Sequence, residues 1–419
     1  MPPKTPEESI PYASWKNRYI IIQSMFYLAQ GVAMGALFYI PSLLRNRGLN
    51  DFESIIIQSV IGLPWILKII FGIMSDNVSI GNYGRRKPYI ILAGFVGIIG
   101  FATLPIHPVF GPLMVASGFL ASIGTSMSDG VLDALAVDVT PPEKRGTMQG
   151  TAWGSRAIGL GISSLFVGIF SALNDWFIAF AIPGSVFGLA CFMVILIKEP
   201  ISPDLTGISR NLLKSVFKKK KIQICTLFQI VAGAGISISL IIQTYLESGL
   251  GYDLDIVGFV LFIFLTGMFF GSMFFGYLGD KLSSEITLPT STLMNIALII
   301  VVLFINTSDI LFVSVFFFLF GISSGAYQTS QLRISMDYSP SILGGTMFNF
   351  YNSMANVGQL VIGSVLIAYV GEVIFQGNLQ FGWQVASVFL FLSILISMKL
   401  IRNYQVEGST EPATEMPEE

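Results

Sequence analysis

Four ionisable side chains stand inside runs of apolar residues in this sequence: Lys68, Asp129, Asp133 and Arg156. A charge in hydrocarbon costs at least ~2.5 kcal/mol on insertion scales, so such a residue marks a solute or ion pathway or a paired network. Two cations and two carboxylates balance. Asp129 and Asp133 are spaced i, i+4 and therefore share one face of a helix. Lys68 suits the carboxylate or phosphate of a solute. Asp129, ~13 Å from the nearer end of its helix at ~1.5 Å per residue, is the deepest of the four and suits a coupling proton. Two accounts stay open on these residues. One is a buried ionic cluster that only holds helices together, with Asp133 and Arg156 its most structural members. The other is a set of which part binds substrate or carries the proton. Neutral polar groups at helical spacing on other apolar runs, among them Tyr27, Gln30, Gln243, Tyr327 and Gln328, are read as cavity lining. For each of them the alternative is an interhelical hydrogen bond.

The elements that position these groups follow from composition. Hydrophobic residues are 53% of the 419 and charged residues 11%, less than half the charged share of a soluble domain, so lipid is the solvent that fits. Spans of ~20 apolar residues cross a bilayer core. Twelve are expected: 18–44, 54–75, 88–106, 112–138, 146–172, 177–197, 222–247, 256–279, 286–305, 309–336, 345–370 and 383–402. The start of the chain is acidic and proline-rich, unlike a signal peptide, so the first run is read as a retained span. With a cytoplasmic N-terminus, 18 of the 23 basic residues fall on the cytoplasmic side and only Arg45 and Arg47 outside. That split predicts both termini inside.

Several functions are disfavoured. A net charge of -2 offers no basic face for nucleic acid. Cys191, Cys225 and the single His107 supply neither a disulfide framework nor a metal set, and no cofactor is expected. No Gly-x-x-x-x-Gly-Lys-Ser/Thr loop occurs, so the chain carries no ATP-driven pump.

The chain reads as two halves. Residues 1–197 form a first six-helix bundle, 198–221 a basic cytoplasmic linker, 222–402 a second six-helix bundle and 403–419 an acidic, disordered tail. The linker places Ile208, Leu212 and Val216 at intervals of four opposite basic residues. That pattern fits either a solvated charge run or a short helix on an anionic leaflet. An internal repeat supports the division. Asp138, Pro141, Gly146, Thr147 and Met148 recur 199 positions on, as Asp337, Pro340, Gly345, Thr346 and Met347. Gly72 and Asp76 recur 204 positions on, as Gly276 and Asp280.

The stretch GIMSDNVSIGNYGRRKPYI (72–90) resembles the loop between spans two and three of the major facilitator superfamily. Gly72, Asp76, Gly84, Arg85, Arg86 and Lys87 match, although the segment from Asp76 to Gly84 is longer than the common form. That longer loop, with Pro64, Trp65 and Lys68 before it and DALAVD (133–138) in span four, is similar to the folate–biopterin transporter and muropeptide permease branches. The resemblance implies an all-α fold of twelve transmembrane helices in two pseudo-symmetric six-helix bundles. It further implies a cavity among spans one, four, seven and ten, and a cytoplasmic gate. In that gate Asp76 faces the start of span eleven at Gly345, and Arg85 or Arg86 pairs with Asp138. Gly72 shares the helix face of Asp76 and admits a close neighbour.

The expected function is secondary active transport of a small organic solute by alternating access, coupled to protons. The solute is anionic or zwitterionic, by the lean of Lys68 and Arg156. A facilitator, a transporter-like receptor and, more remotely, a polytopic membrane enzyme are the alternatives. The protein is not expected to be an enzyme. It is expected to be a monomer in the plasma membrane, with the lipid bilayer, its solute and a proton as its partners.

Overall fold

In lipid an apolar run must satisfy its own backbone, and a helix does so within one segment. The computed structural model describes residues 18–77, 86–140, 144–194, 215–305, 307–339 and 344–408, and every regular element among them is helical. Among the described residues, eleven spans are long and apolar enough to cross a bilayer. In chain order they are Ile20–Asn46, Asp51–Ser75, Lys87–Ile106, Gly150–Ala172, Trp176–Met193, Lys220–Gly249, Leu254–Gly279, Ile286–Phe304, Ile310–Asp337, Thr346–Ile374 and Leu379–Leu400. A further helix, Pro112–Val139, lies fourth in order and has 28 residues. Its aspartates and serines keep composition alone from marking it as a span. Twelve spans are thus present among the described residues, each within a few residues of its expected limits. They are numbered one to twelve, with Pro112–Val139 as span four. Leu113, Leu311 and Phe304 are 72%, 72% and 74% exposed, as side chains that face lipid must be.

Two boundaries differ from expectation. The last helix runs Leu379–Gly408, so 403–408 continues span twelve rather than beginning a disordered tail. Of the 198–221 connection, 198–214 lies outside the described residues, and span seven begins at Lys220.

Equivalent pairs close each half. Span one packs on span five so tightly that a Cβ on Gly31 would lie 2.2 Å from the Arg156 carbonyl. Span seven packs on span eleven likewise, where a Cβ on Gly233 would lie 1.9 Å from the Ala355 carbonyl. Between the halves, span five meets span eight, and span two meets span eleven.

Span two is broken. Asp51–Ile61 is helical, Leu63–Trp65 is a single tight turn, and helix resumes at Lys68. Pro64 supplies the reason, since it lacks the N–H that would continue the ladder. The freed groups are satisfied across the interface between halves. Asn356 Nδ2 donates to the Trp65 carbonyl at 2.8 Å, and the Ile69 N–H donates to Ser353 Oγ at 3.3 Å. Span eleven is itself wound more loosely at Val357–Gly363 and Tyr369–Ile374, a departure from α geometry that recurs at functional sites.

Candidate functional site

The break in span two sets Lys68 at the start of its second helical piece, opposite the i, i+4 pair of span four. Lys68 Nζ donates to both Asp129 Oδ2 and Asp133 Oδ2. Arg156 Nη2 donates to Asp129 Oδ1 and, at 2.6 Å, to Gln30 Oε1. Gln30 is fixed in turn by donating to the Thr125 carbonyl at 3.0 Å. The Tyr27 hydroxyl donates to Asp133 Oδ1. The guanidinium carbon of Arg156 lies 4.4 Å from the Tyr27 ring centre and 4.6 Å from that of Trp153, close enough for cation–π attraction.

Tyr27, Lys68, Asp129, Asp133 and Arg156 are all buried, and the formal charge of the group is zero. Burying charges is tolerable only where each is paired and hydrogen-bonded. Here Asp129 is held by both cations, whereas Asp133 has one cation, a phenol and, at 3.4 Å, the amide of Asn352. Asp129, expected to suit a coupling proton, is therefore the more firmly held of the two carboxylates. Counting residues gives depth, but not which face of span four meets span five. Arg156, expected among the more structural members, is what commits Asp129.

These residues line one cavity of about 170 Å³ between the halves. One water needs ~10–15 Å³ by the same measure, so there is room for a small solute. Tyr27, Lys68, Asp129, Asp133 and Arg156 form its charged wall. Gln328, Gln331, Phe264, Met268 and Phe348 contribute from the second half. Gln30 stands behind that wall, bonded to Arg156. Two further expected lining residues are not there. The Tyr327 hydroxyl pairs with Ser393 Oγ at 3.3 Å, and Gln243 bonds Ser42 and Glu247 at the far end of the bundle. Both sit on spans that are polar on more than one face, so spacing alone does not give their direction.

At that far end, where 47–50 joins spans one and two, a polar network crosses between halves. Arg45 bonds Asp51 at 2.9 Å and also Glu247; Ser42 Oγ donates to Glu247 Oε2 at 2.6 Å, and Ser248 Oγ donates to Asp51 Oδ1 at 3.1 Å. At the opposite end, which carries the 72–90 motif, Gly72 packs on span eleven: a Cβ there would lie 3.0 Å from Asn349 Nδ2. Asn349 Nδ2 donates to the Gly130 carbonyl at 3.0 Å. Arg86 is buried, with Nη1 3.5 Å from the Val131 carbonyl. Gly84 and Arg85 lie outside the described residues, as do the side chains of Asp76 and Asp138 and the surroundings of Gly345. Polar contacts thus join the halves on either side of the cavity.

Sequence reasoning missed the polar face of span eleven. Asn349, Asn352, Ser353 and Asn356 recur at i, i+3, i+4 and i+7, and all four bond to spans two and four. That spacing was the available signal.

The BT1 family profile matches residues 30–398. The chain is 28% identical over 168 residues to the folate-biopterin transporter of Synechocystis sp.; the match covers 39% of this chain and 33% of that protein. It is 23% identical over 305 residues to the cis,cis-muconate transport protein of Acinetobacter baylyi, covering 69% of this chain and 72% of that protein. The chain thus spans about a third of the first relative's length. Among solved structures, the major facilitator superfamily transporter FucP in its outward conformation superposes with a TM-score of 0.67 at 14% identity, over 92% of this chain and 98% of that one. At that identity the likeness establishes the fold. The relatives and the fold are those of transport proteins, not enzymes. With its profile matched over nearly the whole length and the superfamily's twelve-helix fold beneath it, the chain belongs to the BT1 family.

Proposed function

We propose that the protein is a secondary transporter that moves a small organic anion by alternating access and takes up a proton with it. The observation that carries this reading is the charge-balanced cluster on the wall of a cavity between halves. A substrate carboxylate that reaches Lys68 or Arg156 adds a negative charge to a buried group that was neutral. Leaving a buried charge unpaired costs ~3–5 kcal/mol. One proton on one aspartate restores the balance. Asp133 is the aspartate assigned to it, because Asp129 is held by two cations and Asp133 shares one. This replaces Asp129 as the proposed proton carrier.

The two halves, 1–197 and 222–402, are the moving bodies, and both termini are assigned to the cytoplasm of a cell-membrane protein. The gate at the motif end is assigned to Gly72, Asp76, Gly84, Arg85, Arg86, Asp138 and Gly345, with the span-eleven asparagines beside it. The substrate class follows the relatives' chemistry: folate and muconate both carry carboxylates. Complete pairing of all four charges also suits a second reading, a facilitator whose cluster is structural. Uptake of labelled folate and muconate into proteoliposomes separates the two. Proton coupling requires accumulation above equilibrium when the outside is acidic. A facilitator only equilibrates. Absence of uptake of either solute would overturn the substrate class.

A further inference from the structure

The amides on the cavity wall are almost all committed. Gln331 Nε2 donates to Gln229 Oε1 at 2.8 Å, Gln359 Nε2 to Ser239 Oγ at 3.1 Å, and Gln58 Nε2 to the Leu37 carbonyl at 3.3 Å. Asn352 and Asn356 bond the first half, as described. Gln328 differs. It lines the cavity and is 5% exposed, yet neither end of its amide finds a partner among the described residues, and its Oε1 is buried. A buried amide left unpaired is destabilising, and a native one calls for an explanation such as a ligand.

The internal repeat makes the contrast sharper. At an offset of 199, Gln328 occupies the place of Asp129, and Gln229 that of Gln30. In the first half this place holds a carboxylate bound by two cations. In the second half it holds a neutral amide with no hydrogen-bond partner among the described residues. The cavity therefore has a charged wall, a neutral donor–acceptor point, and the apolar surfaces of Phe264, Met268 and Phe348 beside them.

We propose that Gln328 is a specificity-determining residue that reads an edge of the substrate carrying an N–H next to a hydrogen-bond acceptor, as in a lactam, amide or amidine. The assignment rests on the transport reading above. A primary amide offers one acceptor and one donor side by side, and a matching edge engages both at once, as glutamine and asparagine do with adenine. The carboxylate of the same substrate meets Lys68 and Arg156, and its middle lies on the aromatic surfaces. A dicarboxylate without N–H leaves Gln328 Oε1 unpaired.

Folate and cis,cis-muconate are the probes, because folate has such an edge and muconate has none. Affinities are measured by ligand-induced thermal shift of the purified full chain, wild type and Gln328→Leu, after checking that their unliganded unfolding temperatures agree. Folate affinity is expected to fall by about 10- to 100-fold in the variant, the value of one bidentate contact. Muconate is expected to bind both proteins equally or neither. If Gln328→Leu does not fold, Gln328→Met makes the same comparison. Equal folate affinity in wild type and variant overturns the assignment alone, and so does a parallel loss for both probes. If neither probe protects the wild type, the substrate class falls and the assignment falls with it.

Discussion

Replacing Lys68 by methionine keeps the length of the side chain and removes the charge. Lys68 Nζ touches both carboxylates, and the side chains involved are 3%, 2% and 6% exposed. Without it, Arg156 still holds Asp129, but Asp133 keeps only Tyr27 and Asn352. An unpaired buried carboxylate costs ~3–5 kcal/mol. The loss is capped, because the carboxyl can take a proton instead. From an ordinary Asp value of ~3.9, neutralising it near pH 7 costs about 4 kcal/mol, and this changes by ~1.4 kcal/mol per pH unit. In the variant, then, the folded state holds a proton that the unfolded state does not, so stability falls as pH rises. The deficit should be smaller by up to about 2 kcal/mol at about pH 6 than at about pH 8. The double variant Lys68→Met/Asp133→Asn is again charge-balanced and should regain most of the loss at both pH values. Thermal unfolding in detergent, followed by tryptophan fluorescence, reads all three proteins. A single variant as stable as the wild type at about pH 8 would refute the reasoning. So would a double variant no more stable than the single one.

Two further outcomes concern the contacts between halves. Arg45→Ala removes bonds to Asp51 and Glu247 from partly exposed groups. A loss of ~0.2–1 kcal/mol should open the far end by up to about fivefold, measured as faster labelling of a cysteine at position 37 in a background lacking Cys191 and Cys225; an unchanged rate would exclude a closing role. Gly72→Leu places a side chain where a Cβ already stands 3.0 Å from Asn349 Nδ2. It should force spans two and eleven apart and slow transport at least tenfold, with substrate affinity changed less, and wild-type flux would show that close approach there is dispensable.

The spans were legible because hydrocarbon leaves a chain little choice. Twenty apolar residues become a helix whatever their neighbours, and the motif at Gly72–Lys87 named the arrangement. The charged cluster was legible as a set, since ionisable residues stand out against apolar ones. Its wiring was not. That Lys68 bridges two aspartates depends on where the helix resumes after the break at Pro64, which spacing along an unbroken span does not give. Tyr327 and Gln243 were misdirected for a related reason: the stretches of spans ten and seven around them have no exposed side, so no apolar stripe tells which polar group faces the cavity. The asparagines of span eleven were visible at helical spacing, but uncharged amides draw less notice than a lysine in lipid. Gln328 was legible by position, through the repeat, while its missing partner became apparent only from its surroundings.

Proton uptake on substrate binding tests the charge-balance account most directly. Pteroate carries the pterin edge of folate and a single carboxylate, so its binding adds one negative charge to the cavity. Added to the weakly buffered, detergent-solubilised wild type, it should draw about one proton from solution per molecule bound, as neutralising one added buried charge requires. In Asp133→Asn the cluster begins with one positive charge in excess, and the same binding should draw none. Binding without proton uptake by the wild type, or equal uptake by Asp133→Asn, would contradict the account.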